Sequence, residues 1–229
     1  MGYTTAVIEF FLLRHGQSEA NAGISDFLDS PLTLLGREQA RLTGEFLRGE
    51  ELTRAYVSPL RRTLETAQPI CVASGLQAEV NAEVCEFFSA AHPGYYTFPG
   101  LTTAQIHEEF PRTFFGETFP CGEAWWPQEL EDDAKIYARC LRVRDTLLKL
   151  YARTHADTAE RIVIVSHAET VGRLTEAFLR VPPVPHDPPW SDNCGITRLR
   201  AFDESVVPAE IVTQNDTSHL GELAAYATR

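Results

Sequence analysis

Lysine is almost missing from this chain of 229 residues. Only Lys135 and Lys149 stand among its 20 basic residues, and 32 acidic residues outweigh these to give a formal net charge of −12. A surplus of negative charge repels polyphosphate backbones and anionic membrane surfaces, so we expect no nucleic acid and no membrane as a partner. It does not exclude a small anionic substrate, because a few converging arginines can reverse the potential locally.

Cysteine is also sparse, and the apolar runs are short. The five cysteines are odd in number, scattered, and without a C-x-x-C pair; they are Cys71, Cys85, Cys121, Cys140 and Cys194. This pattern argues against a disulfide framework or a zinc knuckle and predicts reduced thiols, buried as small apolar side chains, in a cytoplasmic protein. The apolar run at residues 6–13 is interrupted by Glu9 and lacks a preceding basic region. It is too short for a membrane span and wrongly flanked for a signal peptide.

Strands and helices are predicted to alternate along the chain. Strands are predicted at residues 6–13, 56–57, 161–165, 195–200 and 207–213, and helices at 36–48, 60–73, 130–151 and 168–179. Thr33 is a suitable N-cap for the first helix. This alternation predicts an α/β fold with a mostly parallel sheet. Since no repeat or linker divides the sequence, we expect a single domain over residues 1–229.

Aromatic residues are concentrated in one stretch. Residues 87–127, here called the aromatic segment, hold 11 of the 23 aromatic side chains. The segment is predicted to be a lid that grips the organic part of a substrate, or a small satellite core under a long loop; both can hold together. A proline-rich stretch at residues 181–190 is interpreted as a stiff loop rather than a polyproline ligand for a partner.

Candidate functional residues follow the ends of two predicted buried strands. The first strand leads into Arg14-His15-Gly16 and then Ser18 and Asn21, and the strand at 161–165 leads into Ser166-His167-Ala168 at a helix start. Ligands of open α/β sheets bind outside the carboxyl ends of strands, and a helix N-terminus attracts anions. A third group, Arg61-Arg62, follows another strand. Together these residues predict one anion-binding pocket.

These motifs resemble the histidine phosphatase superfamily, also called the phosphoglycerate mutase-like family. Residues 14–21 are similar to its R-H-G-x-[ST]-x-x-N signature, and residues 58–66 to its S-x-x-x-R-x-x-x-T segment, which selects Arg62 rather than Arg61. Residues 84–86 resemble its L-x-E segment, and residues 166–168 its S-H-G segment with Ala168 in place of glycine. The late segment at 193–197 also agrees. The resemblance implies a three-layer α/β/α sandwich of the phosphoglycerate mutase-like type, with the aromatic segment as an insertion.

The resemblance also implies a role for each matching residue. His15 is the nucleophile that becomes phosphohistidine, Glu86 is the general acid and base, and His167 completes the catalytic set. The phosphoryl oxygens are held by Arg14, Arg62 and His167, with further contacts from Asn21, Ser18 and Ala168. No metal and no cofactor is implied, because the cationic groups neutralise the transferring phosphoryl group. The implied substrate is a small phosphorylated metabolite or another phosphomonoester, and the sequence gives no prediction of oligomeric state.

Several residues remain alternatives to those assigned. Glu83 lies three positions before Glu86 and could serve as the acid instead. Arg61 is expected at the surface or next to the pocket, and Glu19 is expected to be peripheral. Glu123 resembles the glutamate of the family's G-E-S segment and is a weaker candidate for substrate contact.

The function itself has alternatives too. A phosphatase is favoured over a mutase, because the aromatic segment holds Arg112 as its one basic residue and glycolytic mutases carry a more basic stretch there. A non-catalytic module that binds phosphorylated ligands is disfavoured, since both histidines, both arginines and an acid are present. A metal site at the two histidines lacks a local ligand cluster, and Arg14 beside His15 opposes a cation.

Overall fold

The structure is a computed structural model that describes most of the chain. The described residues are 7–88, 100–123, 125–126, 130–151, 160–183, 189–202 and 208–227. Residues 89–99, 124 and 127 of the aromatic segment therefore lie outside the described residues, as do residues 184–188 of the proline-rich stretch. The first residues of two predicted strands, 6 and 207, also lie outside them.

Seven strands and five α-helices make up the regular structure of the described residues. In chain order they are β1 (Val7–Arg14), α1 (Leu34–Leu47), β2 (Arg54–Val57), α2 (Arg61–Ser74), β3 (Ala78–Val80), α3 (Thr103–Glu109), β4 (Thr113–Phe114), α4 (Asp133–Tyr151), β5 (Glu160–Ser166), α5 (Ala168–Leu179), β6 (Ile196–Phe202) and β7 (Glu210–Asp216). Three 3-10 segments accompany them, at Arg48–Glu50, Ala82–Val84 and Ser218–Tyr226.

The strands form one mixed sheet in the order β4-β3-β2-β5-β1-β6-β7. β1 lies inside the sheet, parallel to β5 and antiparallel to β6. The pairs from β5 through β2 and β3 to β4 are all parallel, and β6 pairs antiparallel with β7. The prediction of an α/β fold with a mostly parallel sheet is confirmed.

Apolar side chains of β1 alternate between two cores. Phe10 and Leu12 face one core with residues of α4 and α5, whereas Phe11 and Leu13 face the other with residues of α2 and the end of α1. Side chains of a strand point to opposite faces in turn, so β1 is covered on both sides, as its nearly continuous apolar sequence requires. Helices therefore cover both faces of the sheet, which gives the three-layer arrangement.

Local signals explain several element ends. The Thr33 hydroxyl accepts a hydrogen bond from the Gly36 amide at 3.0 Å and caps α1, although the helix begins at Leu34, two residues before the prediction. α4 begins at Asp133 and β7 at Glu210, each three residues later than predicted. The predictions missed the helix α3 and the strands β3 and β4. These two strands have three and two residues and are too short to show a periodic pattern.

Parts of the aromatic segment are packed within the described structure. Phe88 and Trp125 form a small cluster with Leu60, while Phe110 and Phe119 join the two main cores. These contacts fit the satellite-core interpretation of the segment. The lid interpretation is not confirmed, since residues 89–99 lie outside the described structure. All five cysteines are free and four are buried, and no helix among the described residues is long and apolar enough to cross a membrane.

Candidate active site

The two predicted histidines lie side by side because their strands do. β1 and β5 are parallel neighbours with Arg14 opposite Ser166, so the residue after each strand leaves the same edge of the sheet. The His15 amide donates to the Ser166 carbonyl at 3.0 Å, and the two imidazole ring centres are 5.2 Å apart. Both side chains are almost fully buried.

The hydrogen bonds of His15 identify its reactive nitrogen. Nδ1 lies 2.7 Å from the Gly16 carbonyl oxygen, an acceptor, so Nδ1 carries the proton. Nε2 is left with a lone pair and accepts from Nε of Arg62 at 3.1 Å. Burial, with the nearby charges of Arg62 and Arg14, holds the pKa of His15 well below its ordinary value. The arrangement keeps the ring neutral and Nε2 nucleophilic.

His167 is oriented by a serine from the next strand. Ser58 follows β2, and its hydroxyl lies 2.8 Å from Nε2 of His167. The ring is neutral, because burial and then the charge of Arg62 hold the pKa of His167 well below its ordinary value. If the hydroxyl donates to Nε2, the proton of His167 sits on Nδ1. Nδ1 has no hydrogen-bond partner within the described structure and lies 3.6 Å from the Glu86 carboxylate.

Two buried guanidinium groups flank the histidines. Arg14 donates to the Ser191 carbonyl at 2.8 Å and lies 5.8 Å from the ring centre of Trp190. Burial lowers the pKa of Arg14 to about 10, which leaves it charged at neutral pH. Arg62 donates to the Leu28 carbonyl at 2.7 Å, and burial lowers its pKa while the carboxylate of Glu86 opposes that effect. The pocket is therefore cationic, as anion binding requires.

The structure separates the two candidate acids. The Glu86 carboxylate lies 3.6 Å from both Nη2 of Arg62 and Nδ1 of His167, and it accepts from the Phe87 amide at 2.9 Å. Glu83 points elsewhere and pairs with Arg142 on α4 at 2.9 Å. The geometry therefore brings Glu86 to the histidines and leaves Glu83 at the surface.

The two adjacent arginines also diverge. Arg62 enters the pocket, whereas the Arg61 side chain pairs with Glu109 on α3. The Arg61 amide donates to the Asp29 carboxylate at 2.6 Å. Asp29 thus caps the start of α2 from a distant loop, and burial raises its pKa to about 6.

Ser18 and Asn21 close the turn after β1. Each amide donates to the other residue's side-chain oxygen, at 3.3 and 3.2 Å, and Asn193 donates both to the Asn21 side chain and to the His15 carbonyl. The turn is thereby fixed against His15. Ala168 begins α5 beside His167 but is not among the residues that line the cavity. Glu19 and Glu123 do not line it either.

A cavity of about 180 Å³ opens in front of His15. It is lined by Arg14, His15, Ser18, Ala20, Asn21, Asp26, Phe27, Leu28, Arg62, Glu86 and Phe88. A larger cavity of about 460 Å³ lies beside Glu83, Trp125 and Arg142 and contains neither histidine. Among the described residues, no group of three or more His, Cys, Asp or Glu side chains is placed to hold a metal ion. A neutral nucleophile between two guanidinium groups can instead bind and attack a phosphoryl group.

Comparison with known families agrees with this geometry. A family model described as the histidine phosphatase superfamily, branch 1, matches residues 10–216. The chain belongs to that superfamily. This histidine phosphatase match begins within β1 and ends with β7, so it includes most of β1 and the whole of the other six described strands.

Relatives of this histidine phosphatase include both mutases and phosphatases. The probable phosphoglycerate mutase GpmB of Yersinia enterocolitica is 28% identical over 219 residues, which cover 93% of this chain and 95% of that protein. The glucosyl-3-phosphoglycerate phosphatase of Mycobacterium tuberculosis is 31% identical over 180 residues, 75% of each chain. The solved structure of an ecdysone phosphate phosphatase from Bombix mori, in complex with tungstate, has the same fold, with a TM-score of 0.69 at 19% identity over 91% of this chain and 93% of that one.

Some groups of the histidine phosphatase site were not assigned from sequence. Ser58 was matched to the motif at 58–66 without a role being assigned to it, although its hydroxyl contacts His167. Thr66 accepts from the Gly16 amide at 3.1 Å, and Asn193 holds the turn that follows β1. Asp29 had no sequence signal. The serine and threonine stand at fixed positions of the S-x-x-x-R-x-x-x-T segment, which was the one signal that could have identified them.

Proposed function

We propose that the protein is a phosphomonoester hydrolase that works through a phosphohistidine on Nε2 of His15. The observation that carries this proposal is the state of that nitrogen. It is buried and unprotonated and accepts a hydrogen bond from the Arg62 guanidinium, while Nδ1 donates a hydrogen bond to the Gly16 carbonyl. A phosphoryl group entering the pocket replaces the Arg62 contact with a better one, because guanidinium binds phosphate oxygens strongly.

The reaction has two displacements. In the first, Nε2 of His15 forms a bond to phosphorus as the ester P–O bond breaks, and the leaving oxygen takes a proton from Glu86. In the second, a water molecule gives a proton to the Glu86 carboxylate as its oxygen attacks phosphorus and the N–P bond breaks. Free phosphate and neutral His15 remain. The proposed role of Arg14, Arg62 and His167 is to hold the three phosphoryl oxygens while charge spreads over them.

Phosphoryl transfer between two hydroxyl groups of one substrate is the second candidate, and the likeness to GpmB proteins favours it. The cavity argues for hydrolysis, since Arg14 and Arg62 are its basic side chains among the described residues. Arg112 of the aromatic segment does not line the cavity either. A triply anionic phosphoglycerate requires more positive charge than a phosphate monoester alone.

We further propose a single domain over residues 1–229, a cytoplasmic site of action, and a small phosphorylated metabolite as substrate. One sheet collects strands from Val7 to Asp216, which supports the single domain. Five free thiols support a reducing compartment. We also propose that Phe27, Phe88 and the aromatic segment contact an apolar part of the substrate, as two of these side chains line the cavity.

The test is phosphate release from p-nitrophenyl phosphate and a panel of small phosphate esters, in EDTA, by the wild type and by His15→Ala. We expect hydrolysis that survives the chelator and falls by at least about a thousandfold in the variant, because it lacks the nucleophile. Labelled phosphate should be trapped on the wild type as an acid-labile adduct. Loss of activity in EDTA, or undiminished turnover by His15→Ala, would refute the mechanism. Conversion of phosphoglycerate isomers without phosphate release would establish the mutase instead.

A further inference from the structure

The segment at residues 191–195 contacts the backbone of both residues at the end of β1. The Cys194 amide donates to the Arg14 carbonyl at 3.1 Å and to the His15 carbonyl at 3.2 Å, and the Arg14 amide donates to the Gly195 carbonyl at 3.3 Å. Cys194 has a left-handed backbone, with a φ of 56°, which costs free energy in residues other than glycine. The segment therefore keeps an unfavourable conformation where it meets the proposed nucleophile.

The side chain of Asn193 adds two hydrogen bonds to these contacts. It is fully buried, and its Nδ2 donates to the His15 carbonyl at 3.1 Å and to Oδ1 of Asn21 at 3.2 Å. A backbone carbonyl can only accept, so the Asn193 amide has its nitrogen, not its oxygen, toward His15. The nitrogen carries two hydrogens, and these two acceptors use both.

The orientation of the Asn21 amide follows from the same kind of argument. Its Oδ1 accepts from the Ser18 amide at 3.3 Å as well as from Asn193. A backbone amide can only donate, so Oδ1 rather than Nδ2 faces Ser18 and Asn193. Within the described structure, every hydrogen bond of the Asn21 side chain goes to Oδ1. Asn21 lines the cavity in front of His15, and its Nδ2 keeps both hydrogens for a ligand there.

We infer that Asn193 is a positioning residue, which turns the Asn21 amide so that its NH2 group donates to the phosphoryl group. This inference rests on the proposed function and adds to its site a residue that does not line the cavity. The NH2 group attracts an anionic oxygen, whereas a reversed amide presents Oδ1 and repels it. Without Asn193, the Asn21 amide loses one of the two contacts that set its orientation.

A double-mutant cycle tests whether Asn193 acts through Asn21. We measure kcat/KM with p-nitrophenyl phosphate, and the free energy of unfolding in urea, for the wild type, Asn21→Ala, Asn193→Ala and the double variant. This ester needs no proton from Glu86, so its kcat/KM reports on binding and transfer of the phosphoryl group. Asn81→Ala, alone and with Asn21→Ala, is the matched control, because Asn81 is also fully buried and its side chain accepts from the Glu83 amide at 2.8 Å.

We expect Asn21→Ala to lower kcat/KM about tenfold, since it removes a hydrogen bond to a charged group. Asn193→Ala should lower kcat/KM about tenfold in the wild type but about threefold or less in Asn21→Ala, where no amide is left to orient. The remaining loss comes from the contact with the His15 carbonyl. Asn81→Ala should change kcat/KM by the same factor in both backgrounds, whatever its effect on stability.

The cycle separates a failure of this inference from a failure of the hydrolase. If Asn193→Ala lowers kcat/KM by the same factor in both backgrounds, or leaves it at the wild-type value, the inference is overturned and the hydrolase stands. No hydrolysis by the wild type would refute the hydrolase itself. If Asn193→Ala does not fold, Asn193→Ser, which keeps one donor, takes its place in the cycle and is judged by the same comparison.

Discussion

At the scale of single residues, one backbone carbonyl determines which nitrogen of His15 carries the proton and which keeps a lone pair. The Gly16 carbonyl accepts a hydrogen bond from the protonated Nδ1, and its position is held by close backbone packing. A Cβ atom on Gly16 would lie 2.5 Å from the Gly36 carbonyl oxygen, so no larger residue fits there without moving α1. The tautomer of His15, the proposed nucleophile, is thus set by the backbone rather than by a flexible side chain.

Ser58 is expected to set the tautomer of His167 in the same way. Ser58→Ala leaves Nε2 of His167 buried without a partner and lets the ring place its proton on either nitrogen. We expect kcat/KM to fall about tenfold or more, with a stability loss of roughly 1–3 kcal/mol. Steady-state kinetics and urea unfolding measure the two effects. Ser58→Thr, which keeps a hydroxyl, should restore part of kcat/KM, and Ser74→Ala on α2 removes a hydroxyl far along the helix as a control. Wild-type kcat/KM in Ser58→Ala would contradict this role.

At the scale of elements, three neighbours hold the short segment that presents Glu86. Arg139 of α4 donates to the carbonyls of Glu83 and Cys85, at 2.7 and 3.1 Å. The hydroxyls of Ser166 and Thr170 donate to the carbonyls of Val84 and Cys85, each at 2.7 Å. The backbone before Glu86 is therefore fixed by side chains from α4, β5 and α5. Such support is what keeps a proton donor in reach of its substrate.

Arg139 is thus a positioning residue for the proposed acid. The effect of replacing it on kcat should depend on the leaving group of the ester. Alkyl phosphates need a proton on the departing oxygen, whereas p-nitrophenolate leaves without one. We expect Arg139→Lys to lower kcat for an alkyl phosphate about tenfold and for p-nitrophenyl phosphate about twofold or less. The control is Arg142→Lys, which lies three positions further on α4, is exposed, and contacts the Glu83 side chain. It should change neither rate. Equal losses on both esters in Arg139→Lys would mean a general structural defect.

The sequence predicted the strands and site residues that local patterns encode. It missed the hydrogen bonds between residues that lie far apart in the chain. The apolar strand before Arg14-His15 and the similar strand before His167 placed both histidines at strand ends, and the sheet brings those ends together. The pairing of Asp29 with the Arg61 amide joins residues about 30 positions apart and leaves no periodic trace. Arg139 and the Glu86 segment that it supports are still further apart in the sequence. Motif spacing selected Arg62 and Glu86, but geometry was needed to see Arg61 and Glu83 turn away.

At the scale of the whole molecule, the buried histidines make stability depend on pH. The pKa values of His15 and His167 are lowered by burial, so the folded protein keeps both rings neutral. The unfolded chain binds two protons there as the pH falls through about 6.5. Asp29, with a folded pKa raised to about 6, offsets one of these between pH 6 and 4. The unfolded state still binds more protons, so stability is full above about pH 6.5 and falls below it.

Urea unfolding at pH 7.5, 6.5 and 5.5 should therefore give a decreasing free energy of unfolding, by about 1–2 kcal/mol over the last step. Asp29→Asn keeps an oxygen for the Arg61 amide but removes the offsetting proton, so its decline should be steeper than that of the wild type. A free energy that stays constant or rises between pH 6.5 and 5.5 would show that the two rings accept protons in the folded state.

The place of β1 in the sheet also governs the order in which the chain can fold during synthesis. β1 leaves the ribosome early, yet its two partners, β5 and β6, follow roughly 150 and 190 residues later. At a translation rate of about 5–20 residues per second, its apolar side chains wait on the order of ten seconds or more for their sheet neighbours. Closing such long loops is slow, because their entropy is lost before the pairing contacts form. The proposed nucleophile His15 thus follows a strand that is made among the first and paired among the last, and the apolar side chains of that strand stay exposed during the interval.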